Sequence, residues 1–541
     1  IELVHIASFD PSGSNNSTCE VVTYDAGSQK LISTSAVTGT LDIIDFSNPA
    51  APSTIQSINM NIYGGLTSVA VHNGIIAAAS PNVNEQLDGT VVFFDINGNF
   101  LNQVTVGALP DMITFSPDGT KVLTANEGEP NNSYTIDPEG SVSIIDISNG
   151  ISNLTQSNVT TLYFTSFNAQ EAALIASGIR KTKATSTLSQ DLEPEYITIN
   201  AESTKAWVSL QENNAIAEID LTNNTIVDLW ALGTKDVSVM SNGYDVSDNN
   251  NEILIANWPI KSFYQPDAIK QFNINGINYL ITANEGDEKN YTGLNERTTV
   301  GANSYVLDSI AFPNAAMLKR SYNLGRMRVS NINGDIDNDG DFDEIYSVGS
   351  RSFSIFNADT KQFVYDSGDD FEFYTALTSP YNTIFNSDHE SNSFKDRSRS
   401  KGPEPEGVTI AKFCNRTYGF ISLERLGGVM VYNISDPSNV SFVDYKNTRN
   451  LASYGGDNGP ETITFISADQ SPDGEPYIIV ANEISGTLTI FKAQDNVPVQ
   501  QVNTTASICQ GQIFNFGALN LTSSGNYTQT FTNVYGCDSI V

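Results

Sequence analysis

Residues 110–130 read PDMITFSPDGTKVLTANEGEP: a Pro-acid pair, a short apolar strand, a turn, a second strand and then Ala-Asn-Glu. Two strong copies of this phrase follow, QPDAIKQFNINGINYLITANEGD (265–287) and GPETITFISADQSPDGEPYIIVANEIS (459–485). Weaker copies are EPEYITINAESTKAWVSLQEN (193–213) and EPEGVTIAKFCNRTYGFISLER (404–425). A repeat of this length built only from strands and turns is typical of a β-propeller.

The repeat predicts an all-β, seven-bladed β-propeller over residues 1–494. A third strand, usually introduced by Gly, and often a fourth continue each unit, with apolar residues alternating in a period of two. Units begin near residues 18, 64, 108, 193, 265, 404 and 459. The strand ELVHIASF (2–9) has no unit of its own, so we expect it to pair with the last blade and close the ring.

The fifth unit is interrupted between NEGD (284–287) and its third strand, RSFSIFNAD (351–359). We therefore expect an insertion over about 288–350 with a structure or function of its own. Residues 495–541 change to Gln, Asn, Thr and Ser and predict the start of a small β module in which Cys509 and Cys537 are bridged. The sequence does not decide whether Cys19 and Cys414 pair. The natural protein is expected to continue beyond the mid-strand stop at GCDSIV.

The strongly negative net charge of the chain limits the classes of molecule that it can bind directly. The chain of 541 residues carries a net charge of −35, which argues against nucleic acid or an anionic membrane surface as a direct partner. No apolar run approaches the roughly 18–20 residues that span a bilayer, so no membrane span is expected. Such a charge suits a secreted or cell-surface protein that holds divalent cations.

The most specific local motif is DIDNDGDFD. Its acids Asp335, Asp337, Asp339, Asp341 and Asp343 occupy relative positions 1, 3, 5, 7 and 9, with Gly at position 6. This spacing wraps oxygen ligands around one Ca²⁺, although Tyr346 stands where an EF-hand has a bidentate Glu. We expect a calcium loop between β segments. The ion could rigidify the insertion or take a direct part in catalysis.

Acids recur at two places in the repeat, before the first strand and after the second, and antiparallel pairing brings these two places to one edge of a blade. Both sets are expected to converge on a channel mouth: Asp111, Glu127, Glu129, Glu193, Glu195, Asp267, Glu285, Asp287, Glu404, Glu406, Glu424, Glu461 and Glu483. So many carboxylates would repel one another without cations, so a second divalent metal is expected there. Its expected inner ligands are Glu127, Glu285, Glu406 and Glu461. The alternative is that these acids are solvated strand-end residues repeated by duplication.

His389 lies in the acid-rich loop 385–408 and could be a metal ligand or a general acid/base, or only a surface histidine. Lys401, Arg425, Arg351 and Arg326 are basic residues that could join the mouth. There is no Gly-x-Ser-x-Gly, no His-Glu-x-x-His and no phosphate-binding Gly-rich loop.

Several of these motifs together resemble one family over roughly residues 2–493: PDMITFSPDGTKVLTANEGEP, TANEGDEKNYTG, NLGRMRV, DIDNDGDFDE, GSRSFSIFNADT, FVYDSGDDFE, FNSDHESNSF and KGPEPEGV. This is the choice-of-anchor I family of bacterial secreted proteins, which is related to mesenchyme-specific cell-surface glycoproteins and to atypical alkaline phosphatases. The resemblance implies a propeller, export and a phosphatase label. Residues 503–541 resemble short modules of Bacteroidetes surface adhesins, which implies type IX secretion.

Two functions follow as expectations. The first is a calcium-binding surface protein that binds glycan, mineral or another surface protein. The second is a metal-dependent phosphoesterase, in which His389, Lys401 and Arg425 would contact the phosphoester or its leaving group.

Overall fold

The computed structural model describes residues 1–13, 19–35, 37–494, 504–509, 511–532 and 538–540. Strand β1 (Glu2–Phe9) opens the chain. Three four-stranded antiparallel sheets follow: β2 (Val22–Asp25), β3 (Lys30–Ser35), β4 (Thr40–Asp45), β5 (Ser53–Asn59); β6 (Ser68–His72), β7 (Ile75–Ser80), β8 (Asp88–Asp95), β9 (Phe100–Ala108); β10 (Pro110–Phe115), β11 (Lys121–Asn126), β12 (Ser141–Asp146), β13 (Val159–Tyr163).

Short helices then lead to the fourth sheet: 3-10 turns at Ile151–Asn153, Gln156–Asn158 and Thr165–Gln170, then α1 (Glu171–Ala176) and α2 (Leu188–Asp191). The fourth sheet is β14 (Pro194–Ile199), β15 (Lys205–Leu210), β16 (Ala215–Asp220) and β17 (Thr225–Ala231). Two short strands come next, β18 (Thr234–Asp236) and β19 (Lys261–Phe263).

The fifth sheet is split in sequence. Its members in chain order are β20 (Ile269–Ile274), β21 (Ile277–Asn284) and, after the insertion, β25 (Ser352–Asn357) and β26 (Gln362–Asp366). The insertion holds β22 (Arg297–Thr299), α3 (Ala315–Leu318), a 3-10 turn at Leu324–Arg326, β23 (Arg328–Ser330) and β24 (Tyr346–Ser347). The predicted interruption of this unit and its late third strand are confirmed.

The remaining elements complete the chain: α4 (Asp370–Leu377), a 3-10 turn at Tyr381–Ile384, β27 (Pro405–Phe413), β28 (Arg416–Leu423), β29 (Val429–Asn433), β30 (Ser441–Lys446), β31 (Pro460–Ile466), β32 (Tyr477–Asn482), β33 (Thr487–Gln494), β34 (Phe514–Phe516), β35 (Leu519–Leu521), β36 (Thr530–Thr532) and β37 (Asp538–Ile540). Strands β27–β30 form the sixth sheet. The last has the order β1-β33-β32-β31, so the predicted pairing of the N-terminal strand with the last unit is confirmed. Strand β34 pairs with β35, and β36 with β37.

The four-stranded sheets of the described residues make an all-β β-propeller arrangement. The first strands of successive sheets contact one another, and the first strand of the last sheet, β31, contacts β2 of the first. Hydrophobic clusters lie between neighbouring sheets. One of them packs Leu31 and Ile44 of the first sheet against Ile479 and Ile490 of the last. Burial of these alternating faces is the main stabilising contribution, at roughly 1.5–3 kcal/mol for each large aliphatic side chain.

The insertion is not an isolated loop, which the sequence did not predict. Strand β19 pairs with β18 and, in parallel, with β24, so the segment between the fourth and fifth sheets joins the insertion in one small sheet. Both segments share a core that includes Val237 and Tyr244 on one side and Leu324 and Ile345 on the other. The insertion is therefore a packed subdomain.

The cysteines differ from the prediction. Cys509 is an exposed free thiol, so the expected bridge to Cys537 is wrong; Cys537 itself lies outside the described residues. Cys19 is buried and free, whereas Cys414 is disulfide-bonded. Spacing within a short module was a poor guide, because a disulfide depends on the approach of Cα atoms in space.

Candidate functional site

In four of the sheets, a β-bulge lies at the start of the first strand. It takes the acidic residue that follows the opening proline out of the pairing with the second strand. The register of β10 against β11 shifts between Pro110 and Met112, which leaves Asp111 without an opposite residue. Corresponding shifts follow the opening prolines of the fourth, sixth and seventh sheets, at Glu195, Glu406 and Glu461. A bulge re-aims a side chain, and proline gives no N–H to the ladder. The repeated Pro-acid pair thus frees one carboxylate from each of these sheets.

The two residues of the repeated Asn-Glu pair have different roles: the Asn makes structural hydrogen bonds, and the Glu contributes a charge at the edge of the sheet. Asn126 is buried, accepts a hydrogen bond from the hydroxyl of Thr124 (2.8 Å) and donates one to the hydroxyl of Ser143 (3.0 Å). Asn284 repeats this with Ser354 at 2.8 Å. The Asn therefore joins the second strand to the third, and the following Glu leaves the sheet at its edge.

The first carboxylate cluster consists of Asp111, Glu127 and Glu195, whose ligand oxygens lie within 4.8 Å of one another. Each residue is partly buried, and no described residue forms a salt bridge with any of them. Burial and then the charges of Glu195 and Asp111 raise the pKa of Glu127 well above its usual range. Burial raises the pKa of Asp111 to about 6, with a contribution from Glu129. Two carboxylates about 5 Å apart repel by about 3 kcal/mol at an effective dielectric constant near 20, so this cluster favours a bound cation.

The neighbouring acids are compensated by the insertion. Lys289 is fully buried and forms salt bridges with Glu193 and with Glu212, the latter at 3.0 Å. The hydroxyl of Tyr291 donates a hydrogen bond to Glu129 at 2.6 Å. The start of the insertion thus compensates acids that neighbour the first cluster, while the first cluster itself has no such cation.

The second carboxylate cluster consists of Glu285, Glu404 and Glu424, again within 4.8 Å. Here the protein supplies the cations. Glu404 is buried and pairs with Arg397 and with Arg425, whose Nε lies 2.9 Å away, while Lys401 pairs with Glu285 and lies 3.3 Å from Glu404.

The nearby cations affect the pKa values of the carboxyl groups in the second cluster. Although burial opposes ionisation, Lys401, Arg397 and Arg425 hold the pKa of Glu404 below its usual range. Burial raises the pKa of Glu285 to about 8, opposed by Lys401. This cluster therefore needs a metal less than the first.

His389 contacts the second cluster. Its Nδ1 lies 2.8 Å from Glu424 Oε1, and the guanidinium of Arg425 contacts the same ring, with Nη1 2.7 Å from Nδ1. Nδ1 can donate to Glu424 or accept from Arg425, but it cannot do both. The three residues predicted to be catalytic, His389, Lys401 and Arg425, are thus brought together, with their polar atoms engaged by carboxylates.

Glu406 and Glu461, predicted as metal ligands, lie beside these clusters. Glu406 is 6% exposed, and its Oε2 is buried without a hydrogen-bond partner among the described residues. Burial and then the charges of Glu285 and Glu461 raise the pKa of Glu406 well above its usual range. Burial and Asp267 act likewise on the pKa of Glu461. An orphaned carboxylate oxygen in such a place is the kind of atom that a cation binds.

The Asp335 loop, residues 335–343, forms a turn around its own carboxylates. Oxygens of Asp335, Asp337 and Asp339 lie within 4.8 Å of one another. Asp335 accepts a hydrogen bond from Gly340 N–H at 3.1 Å, and Asp343 accepts one from Ile336 N–H at 2.8 Å. Gly340 has φ 98°, a left-handed conformation that glycine adopts without steric cost. The side chains of Asp341 and Asp343 are not part of the three-acid group.

Two further basic residues pair with acids that belong to neither carboxylate cluster. Arg351 is buried and pairs with Glu372 at 2.6 Å, and Arg326 pairs with Asp248.

The sequence prediction missed four charged residues that neighbour the two carboxylate clusters: Glu20, Glu212, Lys289 and Arg397. Glu20 and Glu212 could have been found, because Glu20 stands just before β2 and Glu212 just after β15, at the two acidic positions of the repeat. Lys289 and Arg397 lie in irregular segments with no repeat signal.

A family model for the choice-of-anchor I domain matches residues 20–437. The chain belongs to the choice-of-anchor I domain family. Membership indicates an extracellular or cell-surface protein. Over 204 residues this choice-of-anchor I domain is 29% identical to Gigasin-3a of Magallana gigas, in an alignment that spans 34% of the chain and 71% of that protein.

Two solved structures resemble this choice-of-anchor I domain in overall course. One is Kuenenia stuttgartiensis hydrazine synthase, with a TM-score of 0.44 at 11% identity, covering 87% of this chain and 94% of that one. The other is the Myceliophteria thermophila Cps50 (Swd1) β-propeller domain, with a TM-score of 0.43 at 8% identity, covering 91% and 100%. Among the described residues, no helix has the length and apolar composition needed to cross a bilayer.

Proposed function

We propose that this choice-of-anchor I domain is a secreted, calcium-binding cell-surface protein with a surface binding or adhesion role. In this proposal the seven four-stranded sheets are the blades of one closed propeller. The cycle of contacts between first strands, with β31 against β2, supports that closure. The pairing of β1 with β33 supports it too, because it covers a sheet edge that would otherwise be open.

The observation that carries the calcium proposal is the first carboxylate cluster. Asp111, Glu127 and Glu195 come from two sheets, approach within 4.8 Å and have no salt-bridge partner among the described residues. All their donors are oxygens, the ligands that Ca²⁺ prefers at 2.3–2.6 Å. The orphaned Oε2 of Glu406 is a further oxygen for a cation in the channel.

A second calcium site is proposed in the Asp335 loop, held by Asp335, Asp337, Asp339 and Asp343 with the backbone carbonyl of Asp341. The approach of the first three carboxylates supports it. Its place in the insertion gives the ion a stabilising role there, since the loop lies between β23 and β24, two strands of the small subdomain.

The alternative is a metal-dependent phosphoesterase, favoured by the approach of His389, Lys401 and Arg425 to the carboxylates of the mouth. A bound metal would polarise phosphoryl oxygens and activate water. The same contacts also count against it, because Lys401 and Arg425 already donate to Glu285 and Glu404. A phosphoester would have to displace these carboxylates, so we place the binding role first.

One experiment separates the two functions. The full chain is assayed with p-nitrophenyl phosphate in Ca²⁺ and in EDTA, alongside direct measurement of calcium binding. Calcium binding without turnover supports the surface protein. Turnover that needs Ca²⁺ and falls at least 100-fold in both Glu127→Gln and Glu285→Gln, but not in the exposed Asp469→Asn control, supports the phosphoesterase. Absence of calcium binding contradicts both.

A further inference from the structure

A basic cavity lies between the insertion and the segment that carries Arg399, two parts of the chain far apart in sequence. Its volume is about 400 Å³, and its lining includes Lys319, Arg326 and Arg399 together with Thr299 and Ser321. None of the described residues that line it is acidic. The whole chain has 62 Asp and Glu against 27 Lys and Arg, so three cations around one acid-free cavity are a strong local reversal of charge.

The positive charge of this cavity is only partly compensated. Asp248 accepts from Arg326 Nη2 at 2.7 Å and lies 2.9 Å from Arg399 Nε, so one carboxylate serves two guanidiniums. Lys319 Nζ donates to the backbone carbonyls of Ala302 and Tyr305 at 3.1 and 2.6 Å, and these carbonyls do not neutralise it. The three cations and Asp248 therefore carry a surplus of two positive charges, of which the nearby carboxylate of Asp396 offsets a part at Arg326.

A neighbouring arginine adds to this surplus. Arg328 donates its backbone N–H to the carbonyl of Arg399 at 2.8 Å, which joins the two segments. Its side chain donates to the hydroxyl of Ser400 at 3.3 Å. Burial and then the positive charge of Arg297 lower the pKa of Arg328, opposed by Glu288 and assisted by Arg397 and Arg399. Mutual repulsion of cations in a strongly acidic protein is a cost that a bound anion would remove.

We propose that this cavity binds the phosphate or sulfate ester group of a sugar-sized molecule. Guanidinium forks match tetrahedral oxyanions, and charge-assisted hydrogen bonds are the stronger ones. Arg326 Nη1 has no protein acceptor among the described hydrogen bonds, and Ser321 accepts from Asn249 at 2.8 Å and keeps its hydroxyl hydrogen to donate. A volume of about 400 Å³ exceeds that of a bare oxyanion and suits a substituted sugar. The site does not depend on the proposed calcium sites.

The test is calorimetric titration of the full chain with N-acetylglucosamine 6-sulfate, glucose 6-phosphate and the two unsubstituted sugars, in EDTA and in Ca²⁺. We expect at least one ester to bind ten times more tightly than its parent sugar under both conditions. Lys319→Gln, which breaks no ion pair, and Arg399→Gln should each weaken that binding about tenfold. Titrations with inorganic phosphate and sulfate show which oxyanion is preferred.

The matched control is Arg320→Gln, which removes the same charge from the same segment at an exposed residue outside the cavity lining. Unchanged affinity in this variant supports the site, and melting curves verify that each variant is folded. Equal affinity for ester and parent sugar would overturn the proposal. So would equal loss in Arg320→Gln and Lys319→Gln, which indicates general charge attraction.

Discussion

At the scale of single residues, the carboxylates of the two clusters differ in pKa according to the cations near them. Glu404 lies among Arg397, Lys401 and Arg425 and has a depressed pKa, whereas Glu127 has only acids near it and a raised pKa. Their roles differ accordingly. Glu404 organises a salt-bridge network, and Glu127 is a proposed calcium ligand.

Glu127→Gln should therefore act in opposite directions with and without calcium. In EDTA it removes a repelling charge, so the melting temperature should rise by about 2–4 °C at pH 8. In Ca²⁺ it removes a ligand, so calcium affinity at the mouth should fall at least tenfold. Differential scanning calorimetry and calcium titration measure the two effects. Asp469→Asn is the control, and a fall in melting temperature in EDTA would contradict the account.

The raised pKa values also predict how stability depends on pH. Burial and like charges raise the pKa of Asp111 to about 6, of Asp267 to about 7 and of Glu20 to about 8. The folded chain thus holds more protons than the unfolded chain between about pH 4 and 8, and these groups lower the free energy of unfolding as pH rises through that range. Calcium should reverse this loss, so it should raise the melting temperature more at pH 8 than at pH 5. An equal rise at both pH values would count against cations at the mouth.

At the scale of elements, the Asp335 loop is tied to the small subdomain rather than to a blade. Strand β24 follows the loop and pairs with β19, and Ile345 enters the shared core. An ion in the loop would fix this arrangement locally.

Asp337→Ala should accordingly raise proteolysis within residues 288–345 in millimolar Ca²⁺, while the propeller sheets stay resistant because the hydrophobic clusters between them are separate from that of the insertion. Limited proteolysis with mass spectrometry locates the cuts. Asp341→Asn is the matched control, since only its backbone carbonyl is a proposed ligand. Cleavage spread evenly over the chain, or equal in the two variants, would refute a local ion.

The role of β1 in closing the ring can be tested by comparing the stability of two variants. Leu3 is 1% exposed and packs in the cluster between the sixth and last sheets, so Leu3→Ala should cost about 2–4 kcal/mol of unfolding free energy. Ile55→Ala, on an outer strand at 53% exposure, should cost less than about 0.5 kcal/mol. Urea unfolding measures both, and equal costs would argue against a closing role for β1.

The order of the strands was predictable from the sequence because the same residue types recur at the same positions of each repeat unit. Pro110-Asp111 and Asn126-Glu127 have counterparts in other units, and alternating apolar residues mark the strands between them. The small subdomain was not predictable in this way, since β18 and β24 have only three and two residues and each pairs with β19, which is distant from both in sequence. Nor was the neutralisation of Glu404, which depends on Arg397 in an irregular loop.

At the scale of the whole molecule, charge is distributed in three ways. Acids from neighbouring sheets meet in two carboxylate clusters, the insertion supplies Lys289 to acids that neighbour the first, and a basic cavity shares no lining residue with either. A protein with a net charge of −35 and such clusters is expected to depend on divalent cations for its compact state.

Calcium stoichiometry of the full chain tests this account most directly. After equilibrium dialysis at 1 mM CaCl₂, elemental analysis should find at least two Ca²⁺ per chain. Asp337→Ala should lose one of them, Glu127→Gln together with Glu195→Gln should lose another, and Asp469→Asn should lose none. A chain that holds no calcium, or variants that all hold as much as the unsubstituted protein, would contradict the central claim.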